Sequence, residues 1–294
     1  MWSPLRTGPR WYANSLARSS SMAQWSMPGP AVLFCPADRP ERYAKALSRA
    51  DAVILDLEDA IRPEARDAAR RALIENPIDP DRTVVRINPS GSDDHLADLA
   101  ALAQTGYRAV MLAKTESVDA VAQIGYDVIA LVETPVGALA AAQIAGTPNC
   151  IGLMWGAEDL VAAMGGRSSR FTAAESHCGR YRDVMRQVRG MVRLACSAHG
   201  KFAIDSVHID IADTEGLLAE ALDAVNLGYE ATACIHPSQV EIVRSAYRPS
   251  TDEINWATEV LDAASMSAGG VFRVGGQMID SPLLGQAKAI MRRA

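Results

Sequence analysis

The chain has 294 residues, of which 49% are hydrophobic and 22% charged, with a formal net charge of −6. That composition excludes a disordered chain, and the acid excess leaves no broad field to attract nucleic acid or an anionic membrane. No run of roughly 18 apolar residues occurs, which argues against a membrane-spanning helix.

The length exceeds the usual single domain yet falls within the range in which α/β barrels run as one domain. Folding a chain of this size buries roughly three quarters of its unfolded surface, so a large core needs no disulfides. The five cysteines, Cys35, Cys150, Cys178, Cys196 and Cys234, are odd in number and widely separated, with no CxxC spacing. This points to free thiols in a reducing cytoplasm. Residues 1–29 read as a disordered leader or a misassigned start, with Met22 and Met27 as alternative starts. They carry Arg6, Arg10, Arg18 and the cluster Ser19 to Ser21, with no acid before Asp38, a composition that superficially matches an organellar transit peptide.

From Ala31 the sequence alternates short apolar runs with longer helical patterns, the signature of repeated βα units. Eight runs predict strands. They are AVLFCPA at 31–37, AVILDLED at 52–59, TVVRINP at 83–89 and AVMLAKT at 109–115, then DVIALVET at 127–134, CIGLMWGAED at 150–159, KFAIDSV at 201–207 and ATACIHP at 231–237. Each begins nearly all apolar, as a parallel strand covered on both faces requires, and turns polar at its end. Between them PERYAKALSRA, PEARDAARRALIE and TEGLLAEALDAVNLG predict helices, the last ending in Gly228. Eight units predict a single (β/α)8 TIM barrel over 30–250. An open, doubly wound sheet is the alternative, because periodicity does not show closure. The long gap between the sixth and seventh strands holds GGRSSRFTAAESH, read as a mobile lid or a long connection. Beyond the eighth strand come a helix from Asp252 to about Ser267, a Gly-rich turn and the tail VFRVGGQMIDSPLLGQAKAIMRRA, together a C-terminal helical extension or lid over 251–294.

In such a barrel the C-terminal strand ends converge on one face, where enzymes of this architecture place their active sites. Here those ends carry Asp38, Asp56, Glu58, Asp59, Arg86, Asn88, Lys114, Glu133, Asp159, Asp205 and His236. Glu133 and Asp159 close neighbouring strands, so their carboxylates can share one cation. An oxygen-rich sphere with open positions suits Mg2+. The alternative is that each acid caps a helix or pairs with an arginine. Clusters of Cys and His suited to zinc are missing from the sequence.

Arg86, in VVRINP, needs an anion, because an unpaired buried guanidinium is expensive. Its partner is a substrate carboxylate, a developing enolate oxygen, or internally Glu58 or Asp56. Lys114 admits a Schiff base with a carbonyl substrate, but a fixed positive charge for a phosphate or an acid pair is the preferred reading. His236 reads as a hydrogen-bonded wall of the pocket, with general acid or base as the alternative. The signature motifs of serine hydrolases, zinc proteases, P-loop proteins and Rossmann nucleotide binders are missing.

Together and in order, LFCPADRPERYAKAL, AVILDLEDAI, VVRINP, ALVETPVGAL, GAEDLVAAMGGR, AIDSVHIDIADTEGL, IHPSQVEIV and GGQMIDSP resemble the citrate lyase β-subunit-like branch of the HpcH/HpaI aldolase family. Each motif alone is modest, but the ordered set, from about 33 to 282, is specific. The resemblance implies a barrel whose Glu133 and Asp159 bind Mg2+ and whose Arg86 polarises the substrate. The substrate implied is a malyl-, citramalyl- or related hydroxyacyl-CoA. It also implies a homotrimer or hexamer in which the C-terminal segment covers a neighbour's site, with Asp280 of the MID motif as a proton carrier supplied in trans. Arg86 and Asp280 are thus the expected catalytic residues, and Asp38, Glu58, Lys114 and His236 join Arg86 in the expected substrate site.

The expected function is a Mg2+-dependent carbon–carbon lyase. The alternatives are a malyl-CoA-type thioesterase, a β-like subunit of a citrate lyase complex, and a catalytically silent barrel, the last disfavoured by Arg86, Glu133, Asp159 and Asp280 occurring together. Three positions depart from the family pattern. Ala231 and Thr232 stand where a glycine and lysine commonly precede the IHP motif, which bears on how CoA is positioned. Ala37 replaces a usual Gly, and Trp155 makes LMWGAED bulkier, which is expected to narrow the pocket.

Overall fold

Residues 24–266 and 270–294 are described in the computed structural model of the chain. Residues 1–23 of the expected leader, and the predicted helix end at Ser267, lie outside them. Eight parallel strands, β1 (Ala31–Pro36), β2 (Ala52–Asp56), β3 (Thr83–Ile87), β4 (Ala109–Leu112), β5 (Asp127–Val132), β6 (Cys150–Trp155), β7 (Phe202–Asp205) and β8 (Ala231–Cys234), pair in sequence order. β1 also pairs with β8, so the sheet closes and the doubly wound alternative falls.

The helices run α1 (Tyr43–Arg49), α2 (Arg66–Glu75), α3 (Asp93–Leu102), α4 (Val118–Ala122), α5 (Pro135–Ala145), α6 (Ala157–Ala163), α7 (Asp183–Ala198), α8 (Thr214–Leu227) and α9 (Gln239–Tyr247). Several start where a short polar side chain satisfies a free N–H: Ser92 caps α3, Thr134 caps α5 and Asp213 caps α8. Gly228, at φ +90°, ends α8 in the left-handed conformation that glycine adopts without a Cβ penalty.

Period-two alternation sorts the strand residues into two cores. Val32, Ile54, Val84, Ile129, Met154 and Ile204 pack with one another inside the barrel. Their neighbours Leu33, Leu55, Val85, Leu153 and Ala203 pack in the layer beneath the helices. Full burial of each large aliphatic chain contributes roughly 1.5–3 kcal/mol.

The N-terminal mouth is plugged by aromatics. Trp25, 3% exposed, donates its backbone N–H to the Asp127 carboxylate at 2.7 Å, and its ring lies 6.1 Å from that of Phe202. β6 must have glycine opposite: a Cβ on Gly152 would sit 2.3 Å from the Phe202 ring. The stretch from Gln24 to Gly29, expected within the leader, is therefore corrected. It leads into the barrel, and Trp25 belongs to its floor.

The segment between α6 and α7 is pinned to the barrel. Arg170 donates to Glu158 (3.0 Å), Glu220 (2.8 Å) and the Tyr181 hydroxyl (2.6 Å). A long, anchored connection is what the residues form. Beyond α9, α10 (Thr251–Met266), the antiparallel hairpin β9 (Phe272–Val274) and β10 (Gln277–Ile279), and α11 (Ser281–Met291) build a module with its own small core of Ala257, Val260, Ile279 and Ala287. Among the described residues no helix is long and apolar enough to cross a membrane.

Candidate metal and substrate site

The inward-facing parity established along each strand continues to the C-terminal mouth. Phe34, Asp56, Arg86, Leu131, Glu133 and Met154 line a cavity of about 380 Å3 there, joined by Glu158, Asp159, Ser206, Val207 and Ile235 from the loops and α6. Its volume falls within the range of small-molecule sites.

Arg86 is held by Asp56 in a two-point pair, Nε to Oδ1 at 2.7 Å and Nη2 to Oδ2 at 2.6 Å. Asp56, 1% exposed, also accepts the backbone N–H groups of Glu58 (2.9 Å) and Ala60 (3.1 Å), so one carboxylate fixes both the arginine and the loop after β2. The internal ion pair is thus the partner the structure gives Arg86. Its remaining nitrogen, Nη1, lies 3.2 Å from Glu58 and 3.8 Å from Asp59. Burial alone would lower the guanidinium's affinity for its proton. The Asp56 pairing more than offsets that and holds it above the ordinary arginine value.

Lys114 adopts φ +47°, left-handed backbone that costs a non-glycine residue on the order of 1–3 kcal/mol. The turn aims its backbone N–H at Glu133 Oε1, 2.9 Å away. Its ammonium pairs with Glu58 and lies 3.5 Å from Asp59, 3.9 Å from Glu133 and 3.6 Å from Asp159. Of the two readings of this residue, the structure agrees with a fixed charge in an acid cluster.

Glu133 is 2% exposed, and its carboxyl is pushed up to about 8 by burial and by the charge of Asp159, against the opposing pull of Lys114 and Arg86. Glu58 is also raised, by burial first, although Arg86 and Lys114 both pull it down. Lys114 and Arg86 together therefore leave this acid group short of positive charge. The residue just past the end of β6 must be glycine, since a Cβ on Gly156 would fall 2.8 Å from Glu133 Oε2. Hard oxygen donors, an under-compensated buried carboxylate and a cleared approach fit a small divalent cation such as Mg2+. The expected position of Asp159 needs one correction. β6 ends at Trp155, and Asp159 stands in the first turn of α6, brought back over the mouth by the turn at Gly156.

The model of the HpcH/HpaI aldolase/citrate lyase family matches residues 31–237. The chain is 55% identical over 267 residues to a citrate lyase subunit beta-like protein of Mycobacterium tuberculosis, covering 90% of this chain and 96% of that one. It is 31% identical over 286 residues to a (3S)-malyl-CoA thioesterase of Cereibacter sphaeroides, covering 93% and 97%. Among solved structures, protein CitE of Mycobacterium tuberculosis in complex with magnesium, acetoacetate and coenzyme A superposes with a TM-score of 0.84 at 53% identity, covering 91% of this chain and 98% of that one. The chain belongs to the HpcH/HpaI aldolase/citrate lyase family. Membership makes it an enzyme of the carbon–carbon lyase class.

Several expected site residues of this HpcH/HpaI protein fall elsewhere. His236 is exposed and bonds to the Ser238 hydroxyl at 2.7 Å, while its neighbour Ile235 takes the inward position and lines the cavity. The expected pocket wall is thus Ile235. Asp38 lies beside Arg39, 3.7 Å away, outside the cavity lining. Asp205, one residue past inward Ile204, points outward and pairs with Arg189 of α7 at 2.8 Å. Asn88 serves structure, donating to Leu57 O (3.0 Å) and Asp98 (2.8 Å).

Trp155 does not narrow the pocket. It is one residue past inward Met154, is fully buried on the helix side, and donates its indole N–H to Asp205 at 2.7 Å. Thr232, at the position of the family's lysine, is buried and bonds to the Tyr247 hydroxyl at 2.9 Å. Asp280 is absent from the lining of its own chain's cavity and caps α11 through Leu283 N at 3.3 Å. Sequence reasoning misses Phe34, Leu131, Met154, Ser206 and Ile235. Alternation counted backwards from Glu133 and Arg86 marks Leu131 and the other inward strand residues.

Proposed function

We propose that the protein is a Mg2+-dependent lyase that cleaves or forms a carbon–carbon bond in a short hydroxyacyl-CoA such as citramalyl-CoA or malyl-CoA. The observation that carries this reading is the convergence of Glu133 and Asp159 on one point, 3.9 and 3.6 Å from the Lys114 ammonium, beside Arg86. Relatives support it: the Mycobacterium tuberculosis CitE structures were obtained with magnesium and pyruvate, and with magnesium, acetoacetate and coenzyme A.

Glu133 and Asp159 would hold Mg2+, which would act there as a Lewis acid and lower the pKa of the substrate hydroxyl. In the cleavage direction the hydroxyl gives up its proton to solvent as its carbon becomes a carbonyl, the bond from that carbon to the thioester α-carbon breaks, and its electron pair stays with the thioester as an enolate. Arg86, oriented by Asp56, offers Nη1 to that charge. The apolar wall of Phe34, Leu131, Met154 and Ile235 keeps water from the enolate and strengthens these electrostatic contacts. Asp280 of a neighbouring subunit delivers a proton to the enolate carbon, or removes one in the condensation direction. A homotrimer or hexamer follows from that role. The placement of α11 supports it: Arg292, just past its end, lines a cavity at the N-terminal mouth, so the tail is seated at the wrong end of its own barrel to close its own site. Five free thiols, four of them buried, suit a reducing cytoplasm, the compartment this reading takes.

A thioesterase is the second reading, favoured by the 31% identity to the malyl-CoA thioesterase. Incubating the purified full chain with citramalyl-CoA and Mg2+ separates them. Acetyl-CoA plus pyruvate supports the lyase, and free CoA without acetyl-CoA supports the thioesterase. Turnover that appears only with an acyl-carrier protein identifies a β-like subunit of a citrate lyase complex.

A further inference from the structure

The N-terminal mouth of the barrel, opposite Glu133 and Asp159, holds a second cavity of about 680 Å3. Its lining includes three cationic side chains, Arg193, Lys201 and Arg292, against one carboxylate, Glu230, a local excess of two positive charges in a chain whose net charge is −6. That carboxylate is already engaged, accepting from Ala203 N at 2.8 Å and from Arg193 at 3.2 Å. Lys201 has no hydrogen-bond or ion-pair partner for its ammonium among the described residues. The Trp25 side chain lines the same cavity.

We propose that this cavity is a second ligand site and takes a small organic anion bearing a phosphate group. A half-buried ammonium without an acceptor, flanked by the Arg193 guanidinium and the exposed Arg292 guanidinium, suits a ligand rich in acceptor oxygens, and a phosphate offers several. The volume leaves room for more than inorganic phosphate. Sites for small molecules span roughly 300–1,000 Å3, which matches a mononucleotide-sized compound. The half-buried Phe202 ring gives the organic part a face to lie on. The site depends on none of the groups assigned to the reaction.

AMP is a suitable probe, titrated calorimetrically into the full-length protein. Saturable binding is expected. The double variant Lys201→Gln/Arg292→Gln weakens it at least tenfold while its melting temperature and its lyase turnover in AMP-free buffer stay unchanged. Asp159→Asn, at the other mouth, leaves it intact. No saturable binding, equal affinity in the double variant, or loss of binding in Asp159→Asn overturns the proposal.

Discussion

The two mouths of one barrel carry opposite charge. Asp56, Glu58, Asp59, Glu133 and Asp159 crowd around Arg86 and Lys114 at the C-terminal mouth, whereas Arg193, Lys201 and Arg292 line a cavity with Glu230 at the N-terminal one. Part of this follows from topology. Helices that return antiparallel to the strands point their N-termini at the first mouth and their C-termini at the second, and macrodipoles favour acids and bases accordingly. Dipoles do not explain the detail. A Glu133 carboxyl pushed up to about 8 is one whose charge the helices, Lys114 and Arg86 together fail to stabilise. The acid mouth therefore lacks a cation, while the basic mouth has donors left over.

The largest effect that tests this contrast is on turnover. Glu133→Gln or Asp159→Asn is expected to reduce Mg2+-dependent kcat roughly a hundredfold or more, because each removes a donor to the ion that activates the substrate hydroxyl. Steady-state kinetics across a Mg2+ titration measures it. An unchanged rate would mean that the acids are merely helix-paired and that the charge contrast has no catalytic content.

A pH dependence sharpens the same point. Glu133 keeps its proton up to about pH 8 in the metal-free folded chain, against an unperturbed 4.5. Between those values the folded form binds more protons than the unfolded one, so metal-free stability falls as pH rises through that window, with a limiting slope of roughly 1.4 kcal/mol for each step of one in pH. Cation binding requires the ionised form. Mg2+ affinity should therefore rise towards pH 8 and then level, and at pH 7 binding should release about one proton. Calorimetry in buffers of different ionisation enthalpy counts that proton. Release of none would locate the ion away from Glu133.

The barrel and its charged mouth are legible in sequence because buried parallel strands are near-continuous apolar runs that end in polar residues. Eight such runs match the eight strands, and the Asp252 helix appears at Thr251–Met266. What the runs hide is parity. Strand-end residues look alike in sequence, yet Glu133, two past Leu131, faces inward, whereas Trp155 and Asp205, each one past an inward residue, face the helices. A continuous apolar strand carries no alternation to reveal this. The charged partners, Arg189 in α7 for Asp205 and Asp56 for Arg86, lie 16 and 30 residues away and are set by packing. Trp25 is hidden for a different reason, its leader-like neighbours masking a residue that plugs the floor.

Asp205→Asn separates the acids that belong to the cation-poor mouth from those that hold the wall. Arg189 and Asp205 are both buried, and removing one charge of such a pair costs about 3–5 kcal/mol. Denaturant unfolding should show that loss, with Mg2+ affinity measured calorimetrically in the native protein unchanged. A weakened Mg2+ affinity at intact stability would instead place Asp205 with Glu133 and Asp159.

The smallest effect is expected at His236. It lies after β8 near the acid mouth, but the pleat turns Ile235 inward and leaves the imidazole exposed against Ser238. Exposed substitutions away from buried networks usually change free energy by no more than about 0.5 kcal/mol, so His236→Ala should alter kcat/KM by about twofold or less. A fall of tenfold or more would bring the imidazole into contact with bound substrate, and the acid mouth would then extend past its apolar wall to a titratable rim.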